Sequence, residues 1–288
     1  ATSSASTKLF HGGLRYLESE PNIVIPDALL SVGVLQDAQA LQQQAIEAAG
    51  AGNLPLALQL GTQATALSNL AAQDLTYTAK GDKTGDVGFI IGAAYERPDI
   101  ALRVGLTYEQ GMTHKFRTVE NLAPLGIVAL ESVTEIEMPQ SVTLDFQTGV
   151  AADTLLFGSI KWTEWSVWEV RPTGYDQAFG SEVTGFDNDV LTYQLGLGRK
   201  INDNLSVFAR ATYEKANGGV ASRLSPTDGT KGIGIGATWR QDNMKITGGI
   251  EYAKLGNAVD GTPTAFQGNK AVGVGISVGF TFWPLCHA

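Results

Sequence analysis

The chain has 288 residues, 43% hydrophobic and 17% charged, with 34 glycines, 10 prolines, one cysteine and a formal charge of −9. This composition excludes a disordered chain and a disulfide scaffold, and the acidic balance argues against a nucleic-acid-binding surface, which is driven by clustered Lys and Arg. Glycine, at about 12% against the roughly 7% usual in globular proteins, disfavours helices and points to many strands. Cys286 stands alone, so neither a disulfide framework nor a cysteine zinc site is available. No apolar run reaches the ~18 residues of a membrane-spanning helix, and residues 1–20 lack a basic-then-apolar signal peptide. A membrane β-barrel stays open, because alternating strands average to the zero mean hydropathy seen here.

In chain order, a first strand is expected from Thr7. The segment 26–72 breaks the strand pattern and reads as a helical hairpin. Ala38, Leu41, Ala45 and Ala48 share one helical face. Leu56, Leu60, Leu67 and Leu70 share another, after Asn53 as N-cap and Pro55 in the first turn. From residue 88 the period is two. Phe89, Ile91, Ala93 and Tyr95 alternate with small residues, and after 97–99 the pattern resumes as Ile100, Leu102, Val104, Leu106 and Tyr108. It recurs at Val142, Leu144 and Phe146, at Leu156, Ile160 and Trp162, and at Leu191, Tyr193, Leu195 and Leu197. Further stripes are Leu205 to Tyr213, Ile233 to Trp239, Met244 to Tyr252 and Val272 to Phe282, giving about ten strands.

A soluble sandwich and a lipid-embedded barrel both fit one apolar face per strand. Loop lengths separate them. Tight links at 97–99, 151–153, 202–204 and 240–243 alternate with long ones near 17–75, 118–140, 170–189, 216–230 and 255–269, as short periplasmic turns alternate with long outer loops. Opposite the apolar stripes stand Arg103, Glu109, Asp145, Lys161, Arg210, Glu214, Lys245 and Glu251, which suit a wet lumen and not a dry core. Tyr95, Tyr108, Trp162, Tyr193, Tyr213, Trp239 and Tyr252 lie near stripe ends, where interfacial rings settle. The expected fold is all-β: a transmembrane antiparallel β-barrel with a helical outer loop, one domain over 1–288, including a tail at 283–288 that the pattern does not explain.

Several passages resemble the FadL family of outer-membrane transporters for long-chain fatty acids and other hydrophobic molecules, which includes monoaromatic hydrocarbon channels. They are Gly12-Gly13-Leu14-Arg15-Tyr16, Ala79-Lys80-Gly81-Asp82, the strand from Gly88 to Glu96, His114-Lys115-Phe116, Met138-Pro139-Gln140-Ser141-Val142 and Trp162-Thr163-Glu164-Trp165-Ser166. The resemblance implies a Gram-negative outer-membrane location, fourteen strands in the full pattern, a luminal hatch and a lateral exit. It begins partway into that pattern, so a fragment, a processed chain or a short member is expected.

The resemblance also implies ligand capture on two apolar outer loops. In the first these are Leu29, Leu30, Val34, Leu35, Leu54, Leu56, Leu58 and Leu60; in the second, 119–133, they are Leu122, Leu125, Ile127, Val128 and Leu130. The opposite reading is that these side chains pack the two loops together. Luminal Arg103, Lys161 and Arg210 are head-group candidates for a carboxylate, unless they pair with Glu109, Asp145, Glu214 and Glu251. His11, His114 and His287 form no evident catalytic set, and Gly232-Ile233-Gly234-Ile235-Gly236 reads as smooth barrel wall. Expected, then, is a monomeric, cofactor-free channel for passive uptake of long-chain fatty acids or similar molecules, in contact with outer-membrane lipid and lipopolysaccharide. A monoaromatic channel, a water-filled porin or a structural barrel are the alternatives.

Overall fold

The computed structural model describes residues 22–218, 221, 225–259 and 265–281. The expected strand from Thr7, the motif at 12–16, His11, Cys286, His287 and the tail 283–288 lie outside these residues.

Nine strands form one antiparallel sheet. In chain order they are β3 (Ile90–Arg97), β4 (Leu102–Glu109), β7 (Ser141–Ala151), β8 (Thr154–Thr163), β11 (Val190–Lys200), β12 (Leu205–Glu214), β13 (Thr230–Gln241), β14 (Met244–Leu255) and β17 (Lys270–Phe280). Each pairs with its predecessor in this series, and β3 and β17 are the edges. These strands match the periodic stripes from residue 88 onward. The tight links are tight turns, and Asp153 and Asp242 adopt φ of 56° and 51° in two of them, a region Asp tolerates.

Register defines the two faces, because directly paired residues point the same way. One row joins Ile91, Tyr108, Val142, Trp162 and Leu191; another joins Leu197, Ala209, Ile235, Ile250 and Val274. This apolar face is open: Ile233, Ile235, Val272 and Ile276 are 61–77% exposed. In water such a surface would be a severe liability; against hydrocarbon it is the required one. The opposite face carries Gln147, Arg210 and Glu251 in one row and Thr143, Lys161, Thr192 and Glu214 in another.

Beyond the long-loop end lies a cap. Its sheet runs β1 (Asn22–Ile25), β2 (Tyr77–Gly81), β5 (Met112–Leu122), β6 (Ile127–Met138). The second outer loop, read from the sequence as a long link over 118–140 with no strand assigned to it, is thus largely a long hairpin. Its buried row of Phe116, Thr118, Glu120 and Leu122 is half polar, which hides the alternation from a hydropathy pattern.

Between β1 and β2 stand helices α1 (Asp27–Gly50) and α2 (Leu54–Ala71). Asn53 accepts a hydrogen bond from the Leu56 N–H and Pro55 sits in the first turn, as the cap chemistry requires. Buried Val34, Ala38, Ala45 and Ala48 trace one stripe of α1, and their small side chains allow the helices close approach. Asp27 accepts from the Leu75 N–H at 2.8 Å, tying the start of the excursion to its end. The third outer loop adds β9 (Glu169–Val170), α3 (Thr173–Phe179) and β10 (Thr184–Gly185). The fifth carries the short pair β15 (Ala258–Val259) and β16 (Ala265–Phe266).

Candidate functional site

Two regions bear on function: the apolar outer surface of the cap and the polar inner face of the wall. The cap core comprises Leu30, Val34, Leu75, Tyr77, Ala79, Leu122 and Ile127, with Leu67, Leu70, Leu125, Leu130 and Phe179 packed against it. Leu30, Val34, Leu122 and Ile127, expected on a capture surface, are therefore core residues, and Leu125 and Leu130 support them. The reason is register: α1 turns Leu30 and Val34 towards the sheet, and β5 and β6 place Leu122 opposite Ile127.

The other expected residues remain at the surface. Leu54, Leu58 and Val128 are 68%, 75% and 68% exposed, and Leu29, Leu35 and Leu56 are also exposed, while Leu60 is half-buried. Val32 and Ile46 extend this surface. Leu29, Val32 and Leu35 recur every three residues and so share one side of α1, away from the stripe that faces the core.

The hub holding the cap together is Glu120, which sequence reasoning did not single out. Its side chain is fully buried. It accepts from the Tyr77 hydroxyl at 2.9 Å, the Ser132 hydroxyl at 2.7 Å and the Tyr175 backbone N–H at 3.0 Å. One carboxylate thereby joins β2, β6 and α3. A Cβ on Gly174 would stand 2.7 Å from the Glu120 carboxylate, so the close approach of α3 requires glycine there. Burial and the facing Glu120 carboxylate push the Tyr77 phenol well above its ordinary pKa, and burial with the Glu182 charge raises that of Tyr175. Arg171 meets Glu169, Asp176 and Glu182 at 2.9–3.0 Å, bracing the same loop. A second core cluster, Phe116, Ile136, Trp168 and Val170, lies under it.

On the inner wall the three head-group candidates differ. Arg210 pairs with Glu251 across Gly234, which leaves room between the strands for the two side chains to meet. Arg103 pairs with Glu96 at 3.3 Å, a partner not expected from the sequence. Lys161 makes no ion pair among the described residues and sits between Thr143 and Thr192. Glu109 and Glu214 accept instead from Ser141 and Thr192. The glycines at 232, 234 and 236 lie on this inner face, where Glu251 and Thr212 approach the first, Arg210 the second and Phe208 the third. His114 contacts Asp86 at 2.7 Å with no nucleophile in that pair, and among the described residues no helix is long and apolar enough to cross a membrane.

An apolar, lipid-facing wall of strands, a polar inner face and a folded outer cap have the character of an outer-membrane β-barrel. Residues 27–280 match the family described as "Outer membrane protein transport protein (OMPP1/FadL/TodX)", and the chain belongs to it. That family comprises outer-membrane transport proteins and not enzymes. Among solved structures, that of a Pseudomonas aeruginosa FadL homologue is 16% identical, with 70% of this chain and 52% of that one covered and a TM-score of 0.49. The P. putida toluene transporter TodX is 14% identical over 76% and 56% of the two chains, with a TM-score of 0.48. The monoaromatic hydrocarbon channel CymD is 15% identical over 72% and 53%, with a TM-score of 0.41. The chain spans just over half the length of these proteins. None of the curated proteins matches it.

Proposed function

We propose that the chain serves passive uptake of hydrophobic molecules, long-chain fatty acids ahead of monoaromatic hydrocarbons, acting as a monomer. Ligand is first captured on the exposed apolar side of the helical hairpin and then moves down its concentration gradient. The observation that carries this reading is the pairing of a well-packed cap core with a separate set of large apolar side chains left in water, Leu29, Leu35, Leu54, Leu56, Leu58 and Val128. A water-filled porin has no use for such a surface, since its loops and constriction are hydrophilic.

The preference for a fatty acid rests on Lys161. Arg103 and Arg210 are each engaged by a glutamate, which leaves Lys161 as the luminal cation among the three candidates able to meet a carboxylate as a point charge. A neutral monoaromatic would need no such partner. Binding of labelled oleate to the detergent-solubilised protein, with toluene as competitor, tests the assignment. Oleate should bind better than toluene. Leu54→Ser with Leu58→Ser should weaken both by about tenfold, given ~25 cal/mol per Å2 of apolar area, and Lys161→Gln should weaken oleate alone. Equal or tighter toluene binding reverses the ligand order, and undiminished binding by the double variant removes capture from the cap.

A further inference from the structure

Along the outer end of the lipid-facing surface, one hydrogen-bonded row runs Tyr193, Tyr213, Lys231, Lys254, Lys270 across β11, β12, β13, β14 and β17. Direct pairing puts all five on the same face, and that face is the apolar one, because Ile233, Tyr252 and Val272 stand two residues further along the same strands. Lys215, just past the end of β12, has the same parity as Tyr213 and adds a fourth lysine. All four are exposed. They adjoin the long loops and not the tight turns, so they mark the outer leaflet and not the periplasmic side.

Cross-strand neighbours have Cβ atoms about 5 Å apart, and like charges placed directly opposite destabilise a sheet. Here three lysines are consecutive neighbours with no carboxylate between them. The lysines that do form ion pairs among the described residues are Lys115 and Lys200, not these. Among the described residues, two acids of the adjoining loops have partners of their own: Asp228 accepts from the N–H groups of Asn217 and Gly218, and Asp189 from Trp162 and Ser166. The aromatic side chains in the row add a neutral shoulder, with the Lys231 ammonium 5.9 Å from the centre of the Tyr213 ring. Beside it a groove of about 500 Å3 is lined by Asp189, Leu191, Tyr193, Tyr213, Lys215 and Asn217.

We propose that this row is a binding site for a phosphorylated glycolipid of the outer leaflet. Its phosphates lie among Lys231, Lys254, Lys270 and Lys215, its sugar edge rests against Tyr213, and its acyl chains run along Ile233, Tyr252 and Val272. Charge complementarity selects the phosphate, and the apolar surface directly beneath selects a lipid over a free ion. The other half of the wall ends differently: the outermost lipid-facing row of β4 to β11 is Tyr108, Val142, Trp162 and Leu191, without a cation. The site is therefore one-sided, and it is independent of which molecule the channel carries.

The test uses the full chain in neutral detergent, with a diphosphoryl lipid A-type glycolipid as probe and its dephosphorylated form as control, binding being read by native mass spectrometry. The phosphorylated form should bind at one copy per chain and be displaced as salt rises. Lys231→Gln, Lys254→Gln and Lys270→Gln should each weaken it about fivefold, and the triple variant on the order of a hundredfold. Lys245→Gln, on the inner face near a tight turn, should change nothing. Equal binding of the two glycolipid forms by the unaltered chain overturns the proposal without any variant. So does wild-type affinity in the triple variant, or competition by inorganic phosphate at equal concentration, which would reduce the row to an ion site.

Discussion

The wall and the cap are built from the same apolar residues by opposite rules. In the wall, Ile233, Ile235 and Ile276 stand exposed while Arg210 and Glu251 are drawn inward; in the cap, Leu75, Leu122 and Tyr77 are buried and charges ring the surface. The solvent outside each region accounts for the inversion. Hydrocarbon accepts an isoleucine without cost and water does not. Both regions use the β period of two, so the difference lies only in which face meets which medium. The exposed Leu54, Leu58 and Val128 of the cap are an exception to the rule of their own region, which is why the proposed capture surface is placed there.

The largest effects should come from violating each rule at its centre. Leu122→Ala, in the fully buried cap core, should cost the cap about 2–5 kcal/mol, read as protease cleavage within 26–138 while the wall remains heat-modifiable on gels. Ile235→Arg, on the lipid face, should cost about 2–4 kcal/mol and abolish heat-modifiability with the cap unaffected. If both variants fail together in both readouts, wall and cap are one cooperative unit and the comparison breaks.

Alkaline pH should loosen the cap before the wall. Tyr77 and Tyr175 have raised pKa values in the folded cap, so their contribution is fully present below the free phenol value of about 10. It is lost as pH climbs towards the folded values, because the unfolded chain then gives up protons first. Tyrosinate absorbance followed with cap proteolysis should show late, cooperative ionisation, and Tyr77→Phe should remove one ionising group. That variant also leaves Glu120 without one of its three donors, costing about 1–3 kcal/mol.

Smaller effects sharpen the contrast. Asn53→Ala removes the N-cap of α2 and should lower cap stability by about 1 kcal/mol, measured by denaturant titration. Leu58→Ser, in a residue 75% exposed, should change stability by less than about 0.5 kcal/mol while reducing ligand capture. A stability loss as large as that of Leu122→Ala would make Leu58 core and remove it from the capture surface.

Much of the architecture was legible because it is local. Period-two stripes mark all nine wall strands, the alternation of tight and long links orients them, and Asn53 with Pro55 places the start of α2. The hairpin of β5 and β6 escaped because Thr118 and Glu120 occupy its inner row, and a buried polar residue reads as a solvated one until its partners are known.

Sequence alone thus determined where strands and helices run and which side of each wall strand is apolar, since propensity, period and capping act within a few residues. Only the tertiary structure decided which loop leucines are core and which are surface, because Leu30 and Leu29 differ in nothing but the direction set by packing α1 on the sheet. It likewise decided that Tyr77, Ser132 and Tyr175 converge on Glu120, and that lysines 231, 254 and 270 stand side by side. Both arrangements depend on pairing register between segments far apart in the chain, which no local pattern encodes.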